Sequence, residues 1–301
     1  MNLLLTGAWQ QAKEQIPELE ALGHRVFFLQ QERDPLPCAP EAIEGVVCNG
    51  LFLYHPIEQF TRLRFIQLAS AGFDRVPMDY VREHEIEIHN AAGVYSIPMA
   101  EYALAGVLSL YKKLDTFRMQ QRNHDWTKQR DLRELNGKRV LILGCGNVGS
   151  ECAKRFSAFG CEVFGVNRTV KPKKFFDEVH PLTMLDDLLP SADVVVMTVA
   201  LTEETRGLMT AGRIRSMKPD AILVNISRGA VVPTKALEEV IDHIGGAVLD
   251  VFEEEPLSPE SSLWDMENVL ITPHNSFVGE GNAERLSKLI MRSLGSGRNN
   301  E

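Results

Sequence analysis

The chain has 301 residues, which at about 150 residues per domain suggests two domains. Hydrophobic residues make up 44% and charged residues 24%, so there is apolar material for two ordinary globular cores. The formal net charge of -9 runs against the basic surface that nucleic-acid binding requires, and no apolar run approaches the roughly 18 residues of a membrane helix.

Taken in chain order, the apolar start at 1–6 lacks a basic flank and runs into Gly7, so it reads as a first buried strand rather than a signal peptide. Asn2–Thr6, Arg25–Leu29, Gly45–Cys48, Phe65–Leu68 and Ile86–Ile88 have the length and composition of strands, with helix-like stretches between most of them. This alternation predicts a parallel α/β sheet. Ile97–Tyr111 is apolar all round, with Pro98 where a first helical turn tolerates it, and reads as a buried helix bridging two domains. The segment 118–138 is charged and aperiodic and carries Trp126; it is either a solvated loop or an oligomer contact. The alternation then restarts, with strands expected at Arg139–Leu143, Glu162–Val166, Asp193–Thr198, Ala221–Ile226, Ala247–Asp250 and Val269–Thr272. After the first of these, Val148, Cys152, Phe156 and Phe159 fall at helical spacing. Ala283, Leu286, Leu289, Ile290 and Leu294 form a second such stripe before a polar, frayed end from Gly295. Cys38, Cys48, Cys145, Cys152 and Cys161 are odd in number and include no C-x-x-C pair. They read as small buried hydrophobes in a reducing, cytoplasmic compartment rather than as a disulfide framework or a zinc site.

Val140 to Gly149 reads as strand, G-x-G-x-x-G, then helix. Gly144 permits the tight turn, Gly146 lets backbone approach a pyrophosphate, and Gly149 allows close helix–strand packing. The diphosphate then rests on the free N–H groups at the helix start, including those of Asn147 and Val148. The next strand ends at Asn167-Arg168-Thr169, with Lys171, Lys173 and Lys174 close behind. A carboxylate here favours NAD, whereas a guanidinium binds a 2′-phosphate bidentately. NADP(H) is therefore expected in preference to NAD(H). The competing reading has Asn167 bonding the ribose with Arg168 merely exposed, and NAD used.

Arg228, Glu255 and His274 each fall just past the carboxyl end of a strand, on the edge where the glycine loop opens and where open sheets bind ligands. Their chemistry suits hydride reduction of a ketone. His274 can donate the proton, Glu255 can orient the imidazole, and Arg228 can hold a substrate carboxylate and polarise the adjacent carbonyl. Singly, each has a structural alternative: an ordinary histidine after a strand, a solvated acidic loop, a turn beside Gly229.

Together these residues resemble the D-isomer-specific 2-hydroxyacid dehydrogenases. The matching stretches are Leu135-Asn136-Gly137-Lys138, the glycine loop, Asn225-Ile226-Ser227-Arg228-Gly229, Leu249 to Pro256, and Thr272-Pro273-His274. Ser70 to Asp74 resembles the family's substrate loop, and Asn90 to Val94 with Ala100-Glu101 its interdomain segment. The resemblance implies an Arg228–Glu255–His274 triad, a substrate carboxylate held at Ala71 and Gly72, and cofactor contacts that extend to Ala200, Thr205, Ile226 and Asp250. It implies two Rossmann-like or flavodoxin-like parallel-sheet domains with the active site in the cleft between them. Residues 1–97, completed by a C-terminal helix in 279–301, would form the substrate domain, and 98–278 the dinucleotide-binding domain. No metal, no membrane and no nucleic-acid partner are expected, and homodimers are usual. Asn167 departs from the common acidic residue, as in the family's NADP-using glyoxylate and hydroxypyruvate reductases. The expected reaction is reduction of a small 2-oxo acid of that type to the D-2-hydroxy acid. The alternatives are an NAD-dependent phosphoglycerate dehydrogenase, for which only Arg62, Arg64 and Arg75 lie near the substrate loop, and a dinucleotide-sensing corepressor-like protein, which would bind cofactor but turn over poorly.

Overall fold

The structure, a computed structural model, describes residues 1–295, so the frayed end expected beyond Gly295 lies outside the described residues. The chain divides into two compact units, Met1–Tyr95 with the described residues from Gly279, and Ser96–Val278.

The first unit holds strands β1 (Asn2–Thr6), β2 (Arg25–Leu29), β3 (Gly45–Cys48), β4 (Phe65–Leu68) and β5 (Glu87–His89), with helices α1 (Ala12–Ala21) and α2 (Met78–Glu83). All pairings are parallel, in the order β2-β1-β3-β4-β5. Successive residues of β1 serve opposite faces: Leu3 and Leu5 join one apolar cluster and Leu4 the other. A strand buried on both faces reads as a continuous apolar run, which is why it is recognisable in sequence. β5 lies one residue later than the sequence suggests.

The second unit begins with α3 (Ser96–Tyr111) and α4 (Leu114–Arg122). It continues through β6 (Arg139–Leu143), α5 (Asn147–Ala158), β7 (Glu162–Val166), β8 (Glu178–His180), α6 (Leu185–Leu188), β9 (Val194–Met197), α7 (Ala211–Ser216), β10 (Ile222–Asn225), α8 (Thr234–Glu238), β11 (Gly246–Leu249) and β12 (Val269–Ile271). The sheet is wholly parallel, in the order β12-β11-β10-β9-β6-β7-β8. Val140, Ile142, Val194 and Val196 face α3 and α5, while Leu141, Leu143, Val195 and Met197 face the opposite core. Each fully buried aliphatic side chain contributes about 1.5–3 kcal/mol of transfer free energy, so these central strands carry much of the unit's stability.

α9 (Asn282–Gly295) returns to the first unit. Leu286, Ile290 and Leu294 pack with Leu3, Leu5 and Trp9, the Trp9 indole N–H donates to Ser287 Oγ at 2.7 Å, and Arg285 Nε donates to the Val94 carbonyl at 2.8 Å. Three local readings need correction. Phe159 closes α5 and is largely exposed, so the apolar stripe there ends at Phe156. The charged segment 118–138 begins inside a helix, α4, which buries none of its residues and so leaves no apolar stripe in the sequence. β8 is short and only partly buried, and no apolar run marks it.

Carboxylates fasten the amino edges of both sheets. Asp193 accepts the Arg139 N–H at 2.8 Å and Lys218 Nζ at 2.9 Å. Burial pushes its carboxyl up, but these hydrogen bonds and the neighbouring lysines outweigh burial and leave it below the usual range. In the first unit Glu44 accepts the Asn2 N–H at 2.8 Å and lies near Arg62 and Arg64; that backbone bond, against slight desolvation and with the arginines' help, also lowers its carboxyl.

Candidate active site

The order of the second sheet reverses between β6 and β9, and the glycine loop occupies their carboxyl ends. Gly144 has φ +97°, which disfavours any side chain, and it abuts the Thr198 backbone. Thr198 Oγ1 lies within hydrogen-bonding distance of the Leu143 carbonyl at 3.0 Å and the Gly144 carbonyl at 2.6 Å, which fixes the turn. A Cβ at Gly149 would stand 1.9 Å from the Gly144 oxygen, so only glycine lets α5 start this close to β6. At Gly146, the N-cap of α5, nothing lies within 4 Å of a Cβ position. The open side of a helix start with unused N–H groups fits a dinucleotide diphosphate. Asn147 is exposed there, and Val148 packs against the core.

Asn167 Oδ1 accepts the Cys145 N–H at 3.3 Å and its Nδ2 donates to the Thr169 carbonyl at 2.9 Å, so the amide ties the turn after β7 to the glycine loop. Lys173 Nζ donates to the Cys145 carbonyl and closes the same loop from the other side. Arg168 and Thr169 are exposed beside it. Burial pushes the Cys145 thiol up to about 11, only partly offset by Lys173, so this loop cysteine is held as a neutral thiol.

The loops after β10, β11 and β12 brace one another. Asn225, 1% exposed, accepts from Ser227 N at 3.1 Å and Ser227 Oγ at 2.9 Å and donates to the Arg228 carbonyl at 3.1 Å. Arg228 Nη1 donates to the Ser227 carbonyl at 2.7 Å. A Cβ at Gly229 would stand 1.8 Å from the Phe252 carbonyl carbon, so the Arg228 loop lies directly on the loop carrying Glu255. Glu255 is fixed at both oxygens: Oε1 accepts the Phe252 N–H at 3.1 Å and Oε2 meets His274 Nδ1 at 2.8 Å. A carboxylate only accepts, so His274 carries its hydrogen on Nδ1 and its Nε2 remains for other chemistry. The imidazole is 42% exposed. His274 also has φ +50°, an uncommon backbone for a residue with a side chain, and such strain concentrates where structure holds a functional group in place.

Asp250 is 1% exposed. Its Oδ1 accepts Thr272 Oγ1 at 2.6 Å and the Asn275 N–H at 2.7 Å, Oδ2 accepts the Ser276 N–H at 2.9 Å, and its carbonyl accepts the His274 N–H at 2.8 Å. Its carboxylate therefore serves the His274 loop. Thr205 Oγ1 donates to the Ala200 carbonyl at 2.7 Å and shapes the loop after β9. The Ile226 side chain is buried in the core, so any cofactor contact there falls to its backbone.

Ala71 and Gly72 lie in the first unit. The Asn90 amide donates to the Ala71 carbonyl at 2.6 Å, and the Ser70 carbonyl accepts the Ala91 N–H at 2.8 Å. In a trans peptide the N–H points opposite the preceding carbonyl, so the Ala71 and Gly72 amides face away from residues 90–91. Arg62 and Arg64 lie with Glu44 at the amino edge of this sheet, remote from the substrate loop along the strands, while the Arg75 side chain reaches Gly50 at the carboxyl edge.

Sequence reasoning missed the supports rather than the groups they hold. Thr272, Tyr102 and Glu32 are tied by their side chains to partners distant in sequence, so their neighbours in the chain do not show what they hold. A concavity of about 750 Å³ lies away from this chemistry, between Phe117, Gln120, His124 and the 96%-exposed Trp126.

The family profile described as D-isomer specific 2-hydroxyacid dehydrogenase, NAD binding domain, matches residues 104–276. A glyoxylate reductase of Thermococcus kodakarensis is 33% identical over 251 residues, covering 80% of this chain and 75% of its own length. A D-isomer specific 2-hydroxyacid dehydrogenase family protein from Aeromonas salmonicida superposes with a TM-score of 0.81 at 29% identity, covering 96% of this chain and 93% of that one. A D-isomer specific 2-hydroxyacid dehydrogenase from Xanthobacter autotrophicus, solved with NADPH and MES, superposes at 0.80 with 28% identity, covering 98% and 95%. The chain belongs to the D-isomer specific 2-hydroxyacid dehydrogenase family, and the glycine loop lies in its nucleotide-binding domain.

Proposed function

We propose that this protein reduces a small 2-oxo acid of the glyoxylate or hydroxypyruvate type to the D-2-hydroxy acid with a nicotinamide dinucleotide. The observation that carries the reading is the cross-braced trio of loops, which presents a Glu255-held imidazole on the sheet edge that also carries Arg228 and the glycine loop. The likeness to glyoxylate reductases supports it. When bound on the α5 start, the dinucleotide supplies or accepts a hydride at its nicotinamide. His274, its Nδ1–H held by Glu255, gives the proton from Nε2 to the substrate carbonyl oxygen and takes it back in the reverse direction. Arg228 engages the substrate carboxylate and favours the negative charge that builds on the carbonyl oxygen. The Ala71 and Gly72 amides bind the same carboxylate. The first unit acts as the substrate domain and the second as the dinucleotide domain.

NADP(H) is the preferred cofactor. The exposed Arg168 guanidinium follows an Asn167 that carries no repelling carboxylate, and Lys173 is close at hand. A phosphorylated substrate is the weaker reading, because Arg62 and Arg64 lie at the wrong edge of their sheet. No helix among the described residues is long and apolar enough to cross a membrane, and five free cysteines suit a reducing cytoplasm. A second copy of the chain covers part of the segment 114–126, which buries almost nothing and leaves Leu114, Met119 and Trp126 as exposed large apolar residues; a monomer by light scattering at working concentration would exclude this.

The test is steady-state oxidation of NADPH and NADH across glyoxylate, hydroxypyruvate, pyruvate, branched 2-oxo acids and 3-phosphohydroxypyruvate. Turnover of the small acids with NADPH, falling about tenfold or more in Arg168→Ala but not with NADH, is expected from the loss of a charge-assisted contact. Preference for NADH would overturn the cofactor assignment. Binding of either cofactor without turnover would replace the enzyme by a dinucleotide sensor.

A further inference from the structure

The His274 loop is supported from outside itself, by the helix that opens the second unit. Gly106 lets α3 pack hard against β11, since a Cβ there would stand 2.6 Å from Val248 Cγ1. One turn earlier on the same helix face is Tyr102, whose hydroxyl meets Thr272 Oγ1 at 2.6 Å, just past β12. Thr272 has one hydroxyl proton and gives it to Asp250 Oδ1 at 2.6 Å. The Tyr102 O–H is therefore the donor to Thr272, and the two bonds form a directed chain. Burial, eased by the Thr272 bond and reinforced by the Asp250 charge, raises the Tyr102 phenol above its usual range, which keeps it a donor. Asp250 passes the constraint on through the N–H groups of Asn275 and Ser276 and, from its carbonyl, the N–H of His274 itself.

We propose that Tyr102 is a positioning residue for His274, acting through Thr272 and Asp250 to hold the 272–276 loop in the left-handed turn that aims the imidazole. A donor at the head of such a chain polarises each bond after it, so Asp250 is gripped more firmly than by Thr272 alone. The dependence of kcat on Tyr102 rests on the reading of His274 as proton donor; the effect on the loop does not. The test therefore uses two readouts on the full chain: amide exchange at Asn275 and Ser276 by NMR without ligand, and kcat against KM with cofactor and 2-oxo acid.

In Tyr102→Phe both amides exchange about three- to tenfold faster and kcat falls by a similar factor, the net worth of one hydrogen bond, while cofactor KM stays within about twofold. Thr272→Val loses more, Thr272→Ser recovers most of that loss, and adding Tyr102→Phe to Thr272→Val costs nothing further, because both changes cut one chain. Unchanged Asn275 and Ser276 amides in Tyr102→Phe would overturn the proposal, as would losses that multiply in the double variant. If the wild type turns over no 2-oxo acid, the functional reading falls and the amide exchange alone decides the relay; Tyr102→Phe and Thr272→Ser keep that decision open should Thr272→Val fail to fold.

Discussion

The two sheets reverse strand order in the same manner, yet they fill the resulting crevice differently. In the first, the reversal lies between β1 and β3, and the chain supplies its own anion: Glu32 Oε1 accepts Thr6 Oγ1 at 2.8 Å and the Asn49 N–H at 2.6 Å, and Oε2 accepts the Gly50 N–H at 2.6 Å. In the second, the reversal between β6 and β9 carries glycines and an open helix start. Topology thus makes a crevice in each unit, and local side chains decide whether a ligand or the protein occupies it. The first crevice is closed by the chain's own carboxylate; the second stays open at the start of α5, where the proposed function seats an anionic cofactor.

Substitutions at matched positions sharpen this contrast. Gly149→Ala drives a methyl into the Gly144 carbonyl and is expected to weaken cofactor binding about a hundredfold, the upper range of overpacking, with the first unit's melting unaffected. Fluorescence titration with NADPH reads it, and tight binding by the variant would show that the helix start is not the cofactor seat. Glu32→Gln removes the charge from three hydrogen bonds and should destabilise the first unit by about 2 kcal/mol while leaving cofactor affinity alone, as seen by denaturant unfolding beside the same titration. A change in affinity without a change in stability would reverse the roles assigned to the two crevices. Gly50→Ala is the smallest, within about 1 kcal/mol, because its methyl meets only the mobile ends of Leu53 and Arg75 and the Glu32 carboxylate at 3.3–3.6 Å.

The same contrast explains what could be read from sequence. Strands buried on both faces announce themselves as apolar runs, so β1, β3, β4 and β6 have the expected bounds; β2 and β7, less buried, have them too because their runs of β-branched, aromatic and aliphatic residues are bounded by turn residues. The central strands β9 and β10 are each one residue shorter at both ends, where the flanking residues turn into loops. The glycine loop was legible because its chemistry is local: turn, approach and packing fall within six residues. The pairing of His274 with Glu255 was legible from the chemistry of two groups on one edge and from the family resemblance. What fixes their geometry was not: Tyr102 reaches Thr272 across 170 positions, and Asp250 was expected to serve the cofactor while its carboxylate grips the loop beyond β12. Nothing in the sequence distinguishes Glu32 from any charged residue after a strand.

The most direct test of the account is the turnover of His274→Ala with NADPH and glyoxylate, measured with cofactor Kd on the same preparation. Removal of a positioned proton donor is expected to lower kcat by about 10²–10⁴ with cofactor Kd unchanged. Wild-type kcat in that variant would contradict the assignment of His274 as the acid, and with it the reading of this sheet edge as the reaction centre.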